Sequence, residues 1–143
     1  MNATIAKFGY PDTLIAEYDH WVVLLRPSQL TLGALILAAK SEATAFGGLD
    51  VAAYAELAKV TADIEAALRA AVRFERINYL MLMMVDPHVH LHVLPRYETS
   101  RAFAGVRVDD SGWPGPPNLA ASGSLTADER DALRDAIKAV WPA

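Results

Sequence analysis

The chain contains no cysteine, which excludes disulfide bridges and thiolate metal sites together. Any chemistry must come from histidine, carboxylates, hydroxyls or backbone groups. Basic charge is also short, since 13 Lys and Arg against 17 Asp and Glu leave a formal charge of −4. A sequence-independent nucleic-acid binder needs a basic surface to displace condensed counterions, so no nucleic-acid partner is expected. No apolar run approaches the roughly 20 residues that span a bilayer. The opening stretch MNATIAKFGYPDTLI has no apolar core behind a basic start, so a cytoplasmic protein with no membrane partner is expected. Internal repeats and domain linkers are lacking as well.

What is present suits one α+β domain spanning 1–143. A chain of 143 residues, 53% hydrophobic and 21% charged, has the composition of a soluble globular protein and buries roughly two thirds of its unfolded surface. Residues 13–26 hold two short apolar runs parted by Asp19, which predicts a strand hairpin closed by Pro27. The run 32–40, between Gly33 and Gly47-Gly48, is short for a helix and predicts a third strand. From Asp50, a plausible N-cap, Leu57, Val60, Ile64, Leu68 and Val72 recur at helical spacing, with Glu65 placed to pair with Arg69.

The nearly continuous apolar run 77–85 predicts a strand buried on both faces, with Met81, Met83 and Met84 as core filler. After Asp86-Pro87 a further strand begins at His88 and returns antiparallel to it. Phe103 to Asp110 predicts a short edge strand, and SGWPGPPNLAASGS a loop. Thr126 and Glu129 form a capping-box signature for a final helix, with Leu133, Ile137, Val140 and Trp141 on one side and Pro142 ending it.

Three of the four histidines fall in the stretch DPHVHLHVLPRY. On an extended strand His88, His90 and His92 share one face, while Val89, Leu91 and Val93 share the other and hold the strand to the core. Three readings of that face compete. Ordinary half-buried imidazoles satisfied by hydrogen bonds are the plainest, though three in register make this a poor account. A metal site is the second, but an i, i+4 pair on one strand lies about 13 Å apart, too far for ligands that sit about 2 Å from one ion. The third is nucleophilic catalysis, in which one neutral imidazole attacks while its neighbours set its tautomer and assist the leaving group.

The run HVHLHVL resembles the His-x-His-x-His-x-x signature of the histidine triad (HIT) superfamily of nucleotide hydrolases and transferases. The preceding strand and the Pro95-Arg96 that follows also look like its bacterial diadenosine-polyphosphate-hydrolase-like branch, a likeness running from about Leu14 to the final helix. The resemblance implies a HIT-like antiparallel sheet carrying a long helix and a C-terminal helix, paired into a homodimer. It implies a nucleotide or dinucleoside polyphosphate substrate, or a phosphoramidate, cut at the α-phosphorus. His90 would be the nucleophile that forms a nucleotidyl-histidine intermediate, His92 would contact the leaving group or phosphate oxygens, and His88 would orient the site. No cofactor and no metal ligand set are implied, although a divalent cation can accompany a polyphosphate.

The sequence departs from the family pattern at three places. Ala34 stands where many members carry a further histidine after a glycine, here Gly33. Arg26-Pro27 replaces an acidic or amide residue that commonly binds ribose hydroxyls. Val85-Asp86-Pro87 replaces the glycine-rich loop that often cradles phosphate. Arg26 and Arg96 are candidate phosphate contacts, Trp113 a candidate base-stacking residue or lid, and Asn78 a candidate ligand donor. For each, a structural role as a strand-end charge, a packed indole or a turn-bonded amide competes. A nucleotide-binding or interaction module that kept the fold and lost turnover is the rival function.

Overall fold

The structure, a computed structural model, describes residues 1–121 and 123–143. Helix α1 (Ala3–Lys7) precedes strands β1 (Leu14–Glu17), β2 (Trp21–Leu25) and β3 (Leu35–Ala39), then the long helix α2 (Val51–Val72). Strands β4 (Arg76–Leu80) and β5 (His90–Arg96), a small hairpin β6 (Arg101–Phe103) and β7 (Val106–Val108), and helix α3 (Ala127–Ala139) follow. The main sheet has the order β1-β2-β3-β5-β4 and every neighbouring pair is antiparallel.

The two faces of this sheet have different covers, and the register shows which residues meet which. On one face Trp21, Val23, Leu25, Leu35, Leu37 and Val93 join Val60, Ile64, Leu68 and Val72 of α2 and Leu133 and Ile137 of α3 in one buried cluster. Val89 belongs to that cluster and Leu91 packs against it, so the apolar residues between the histidines anchor the strand as alternation requires. The opposite face carries Val22, Leu24, Ile36 and Ala38, which Ile5 and Phe8 from the α1 segment cover. Since Ile36 pairs with His92 and Ala38 with His90, those two histidines belong to this second face.

Several sequence expectations require correction. The run 77–85 is not a strand buried on both faces. Strand β4 stops at Leu80, lies at the sheet edge and is only half-buried. Met83 then takes a φ of +36°, a left-handed backbone that no strand can continue through. Met84 and Val85 are 82% and 84% exposed, so Met84 is not core filler, while Met81 packs on the core. An unbroken apolar run does not distinguish a central strand from an edge strand followed by an apolar loop. Strand β5 begins at His90, leaving His88 ahead of it.

The expected edge strand at 103–110 is instead the hairpin β6–β7, turned by Ala104 and Gly105, both at positive φ. Asp50 occupies the N-cap of α2 but makes no side-chain cap bond. Glu65 does not pair with Arg69: it accepts a hydrogen bond from the Tyr79 hydroxyl, and the Arg69 guanidinium lies over the Phe74 ring. The capping box of α3 is present in both directions, although Val140 is 39% exposed rather than packed. The loop expected at 111–124 is irregular as anticipated, Ser122 lying outside the described residues.

Candidate active site

His90 and His92 stand side by side on β5 with ring centroids 5.2 Å apart. Phe8 covers both, its centroid 5.5 Å from His90 and 6.0 Å from His92. A cavity of about 180 Å³ is walled by the two imidazoles and by Leu82, Met83, Met84, Val85 and Asp86. At about 30 Å³ per water it has room for roughly six waters, enough for a phosphoryl group but not for a nucleoside, which must extend beyond it. The site is therefore recessed: His90 is 2% and His92 7% exposed.

Hydrogen bonds give the two rings opposite tautomers. His90 Nδ1 lies 2.7 Å from the His88 carbonyl oxygen, which can only accept, so Nδ1 carries the proton and the Nε2 of the neutral ring is bare. His92 Nδ1 receives the Nε–H of Arg26 at 3.2 Å. A guanidinium can only donate, so this Nδ1 is bare and the neutral His92 holds its proton on Nε2. Burial is the main reason that the His92 pKa falls to about 4, reinforced by the positive charge of Arg26.

Arg26 itself is half-buried, and burial lowers its pKa. Its remaining hydrogen bond among the described residues goes to the Ser28 carbonyl at 2.6 Å, and no carboxylate there offsets its charge. A cation so placed behind His92 makes the cavity attractive to an anion. Asp86 opposes that effect from the wall, but Lys7 pairs with it at 2.6 Å.

His88 is not part of the ring pair. Its imidazole is bound by Thr4 Oγ1 at 2.8 Å and Glu42 Oε2 at 3.1 Å, which tie it to α1 and to the chain after β3. Its contribution to the pocket is the main-chain carbonyl that holds His90. Arg96 is not a free phosphate contact: it bonds Asp110 through Nε at 2.7 Å and Nη2 at 3.2 Å, Asn78 Oδ1 at 2.8 Å and the Gly115 carbonyl at 2.8 Å. With Asn78 and Trp113 it lines a different cavity. Of the four expected substrate contacts, only Arg26 reaches the histidines.

Sequence reasoning missed Phe8, Thr4 and Lys7, because nothing local in the N-terminal segment signals that it folds back over residues some 80 positions away. Ala34 is fully buried beside Leu30 and Leu94, so no side chain replaces the missing upstream histidine there. Among the described residues no group of three or more His, Cys, Asp or Glu is placed to hold a metal ion.

Comparison with known proteins bears on the fold and on the motif's family. The HIT domain family matches residues 7–99, and no curated protein matches. Among solved structures, a histidine triad protein from Sinorhizobium meliloti superposes with a TM-score of 0.75 at 20% identity, covering 98% of this chain and 95% of that one. One from Marinobacter aquaeolei gives 0.76 at 16%, covering 99% and 94%. A hypothetical histidine triad nucleotide-binding protein from Sulfolobus tokodaii gives 0.71 at 18%, covering 96% and 88%. At these identities the superpositions establish the fold, while the domain match spans most of the sheet and all three histidines of the motif. The chain belongs to the HIT domain family.

Proposed function

We propose that the protein cleaves a nucleoside polyphosphate at its α-phosphorus by double displacement on His90, the chemistry implied by its likeness to diadenosine-polyphosphate hydrolases. The observation that carries this reading is the pair of complementary tautomers over one cavity: a bare Nε2 on His90 beside an Nε2–H on His92. The Nε2 lone pair forms a bond to the α-phosphorus as the bond to the leaving oxygen breaks, its electron pair departing with the leaving group. The His90 ring becomes cationic in this step, and its Nδ1–H bond to the His88 carbonyl steadies the new charge. His92 donates its Nε2–H to the phosphoryl oxygens, with Arg26 adding positive charge behind it. Water then bonds to phosphorus, the P–N bond breaks and its electrons return to His90, the water proton passes to solvent, and a nucleoside monophosphate leaves.

Neutral His92 has no proton to surrender without becoming an imidazolate, and with its pKa near 4 it is not protonated at neutral pH. Leaving groups stable as anions, such as phosphate-chain ends, therefore suit this site better than amines, which need a proton. That favours dinucleoside polyphosphates over phosphoramidates. A divalent cation accompanying the phosphate chain is compatible with the scheme.

The test is AMP release from diadenosine tri- and tetraphosphate and from adenosine phosphoramidate at pH 7. Polyphosphate turnover exceeding phosphoramidate turnover, and lost in His90→Ala with nucleotide binding retained, supports the proposal. Binding without release from any substrate would leave a nucleotide-binding module on a HIT fold. Sensitivity to chelators with stoichiometric zinc would indicate a metal enzyme instead. We also propose a homodimer in the cytoplasm. The open edge of β4 with exposed Leu82, Met84 and Val85 after it supports the former. Compatible with the latter is that no described helix is long and apolar enough to cross a membrane.

A further inference from the structure

The segment that stands where the family pattern has a glycine-rich phosphate cradle puts a carboxylate at the histidine cavity instead. Asp86 walls that space together with His90 and His92, and its side chain is 19% exposed. A negative charge there opposes a polyphosphate. Lys7 offsets it from α1, with Nζ 2.6 Å from Oδ1, while Oδ2 makes no hydrogen bond among the described residues.

Holding α1 in place is a weak account of this ion pair. The Lys7 side chain is 55% exposed, and a pair so open to water contributes little to stability. Helix α1 has firmer ties: Asn2 donates to the Ala39 and Ser41 carbonyls at 2.9 Å each, Thr4 bonds His88, and Ile5 is fully buried. The chain after Asp86 is fixed as well, since the Val89 N–H donates to the Ala43 carbonyl at 3.1 Å and the Val89 carbonyl accepts from the Ala39 N–H at 3.0 Å. Asp86 thus stands on a braced backbone.

The second half of the double displacement lacks a base. Water that bonds to phosphorus must lose a proton, and both imidazoles in the wall are spent. His90 is joined to phosphorus through Nε2 and holds its proton on Nδ1 against the His88 carbonyl. His92 accepts from Arg26 on Nδ1 and carries hydrogen on Nε2, so it has no lone pair left to offer. Of the titratable side chains in the wall, only Asp86 has one. A base acts within hydrogen-bond reach of the proton or through one intervening water, and the cavity has room for roughly six waters.

We propose that Asp86 is the general base of the hydrolytic step. The inference rests on the catalytic reading above and deepens it. Water enters where the leaving group departed, opposite the P–N bond. Its oxygen bonds to phosphorus, its proton passes to Asp86 Oδ2, and the P–N bond breaks with its electron pair returning to His90 Nε2. Asp86 then yields the proton to solvent. The first step needs no such base, because the end of a phosphate chain leaves as an anion. The two halves of the reaction therefore differ in their need for Asp86.

The test separates those halves by their products in a single turnover of diadenosine triphosphate, where ADP release reports attack by His90 and AMP release reports hydrolysis. Asp86→Asn keeps an acceptor for Lys7 and removes the base. It should release ADP in a burst of about one per site, slow AMP release by roughly a hundredfold or more, and accumulate adenylated His90. Azide, a nucleophile with no proton to lose, should discharge that adenylate from variant and wild type at similar rates. Lys7→Met breaks the same ion pair and keeps the carboxylate, so it should slow ADP release and not the breakdown of the adenylate. The Asp86 charge raises the His92 pKa, so its loss leaves that ring neutral and the effect does not run through His92. AMP release that is unslowed in Asp86→Asn, slowed equally in Lys7→Met, or lost together with ADP release would overturn the inference and leave His90 as the nucleophile. Should the wild type and Asp86→Asn both form no adenylate, the catalytic reading fails and the inference falls with it.

Discussion

Replacing Arg26 by Met removes the charge and the donor that face His92 while keeping an unbranched apolar stem. The wild-type ring has its pKa pushed down from 6.5 to about 4. It therefore refuses a proton that the unfolded chain accepts, and stability is full above about pH 6.5 and falls as pH drops toward 4. The shift corresponds to a loss on the order of 3 kcal/mol across that window. Two unit charges about 4 Å apart at an effective dielectric of about 20 interact by about 4 kcal/mol, which bounds the Arg26 share at about three pKa units. Water around the half-buried guanidinium reduces this, so Arg26→Met should raise the His92 pKa by roughly one unit. Burial, the larger cause, remains, and the acid loss should shrink to about 2 kcal/mol. Nitrogen-detected NMR titration of the imidazoles measures the pKa and the tautomer, and urea unfolding at pH 7 and pH 4.5 measures the stability slope. His92→Gln, which cannot titrate, should flatten that slope. A His92 pKa near 6.5 in the wild type, or one that Arg26→Met leaves in place, would refute the reasoning.

Arg96→Met should destabilise the fold by about 3–5 kcal/mol in urea unfolding, because it strands a buried Asp110 whose side chain is 1% exposed. A residue that only contacted substrate phosphate would change KM and leave stability alone. His88→Ala should cost far less activity than His90→Ala, since the former keeps the carbonyl that holds His90 and steady-state kinetics report the difference directly. Leu133→Ala, which empties a fully buried site where α3 meets the sheet, should cost about 2–5 kcal/mol by the same unfolding assay.

The periodicity of α2, the capping box of α3 and the alternation of Val89, Leu91 and Val93 with the histidines were legible because each is a local pattern whose period is set by backbone geometry. The end of β4 was not legible. Leu82, Met84 and Val85 have strand-like composition, yet β4 has a neighbour on one side only and the backbone turns at Met83, facts that depend on sheet order. The same holds at the site. The motif placed His90 and His92 together, but the tautomer-setting role of Arg26 depends on where the chain leaves β2. The cover by Phe8 depends on the fold-back of the N-terminus. Arg96 shows the converse error: a basic residue next to the motif suggested phosphate, and Asp110, fourteen positions on, claims it.

The central claim is that His90 bonds covalently to the α-phosphorus. Acid-sparing quench of the enzyme during its first turnover of diadenosine triphosphate, followed by peptide mapping in a mass spectrometer, tests it most directly. The account predicts one adenylate per site, carried by His90 and lost on acid treatment while surviving base. Turnover with no modified peptide, or an adenylate on any other residue, would contradict it.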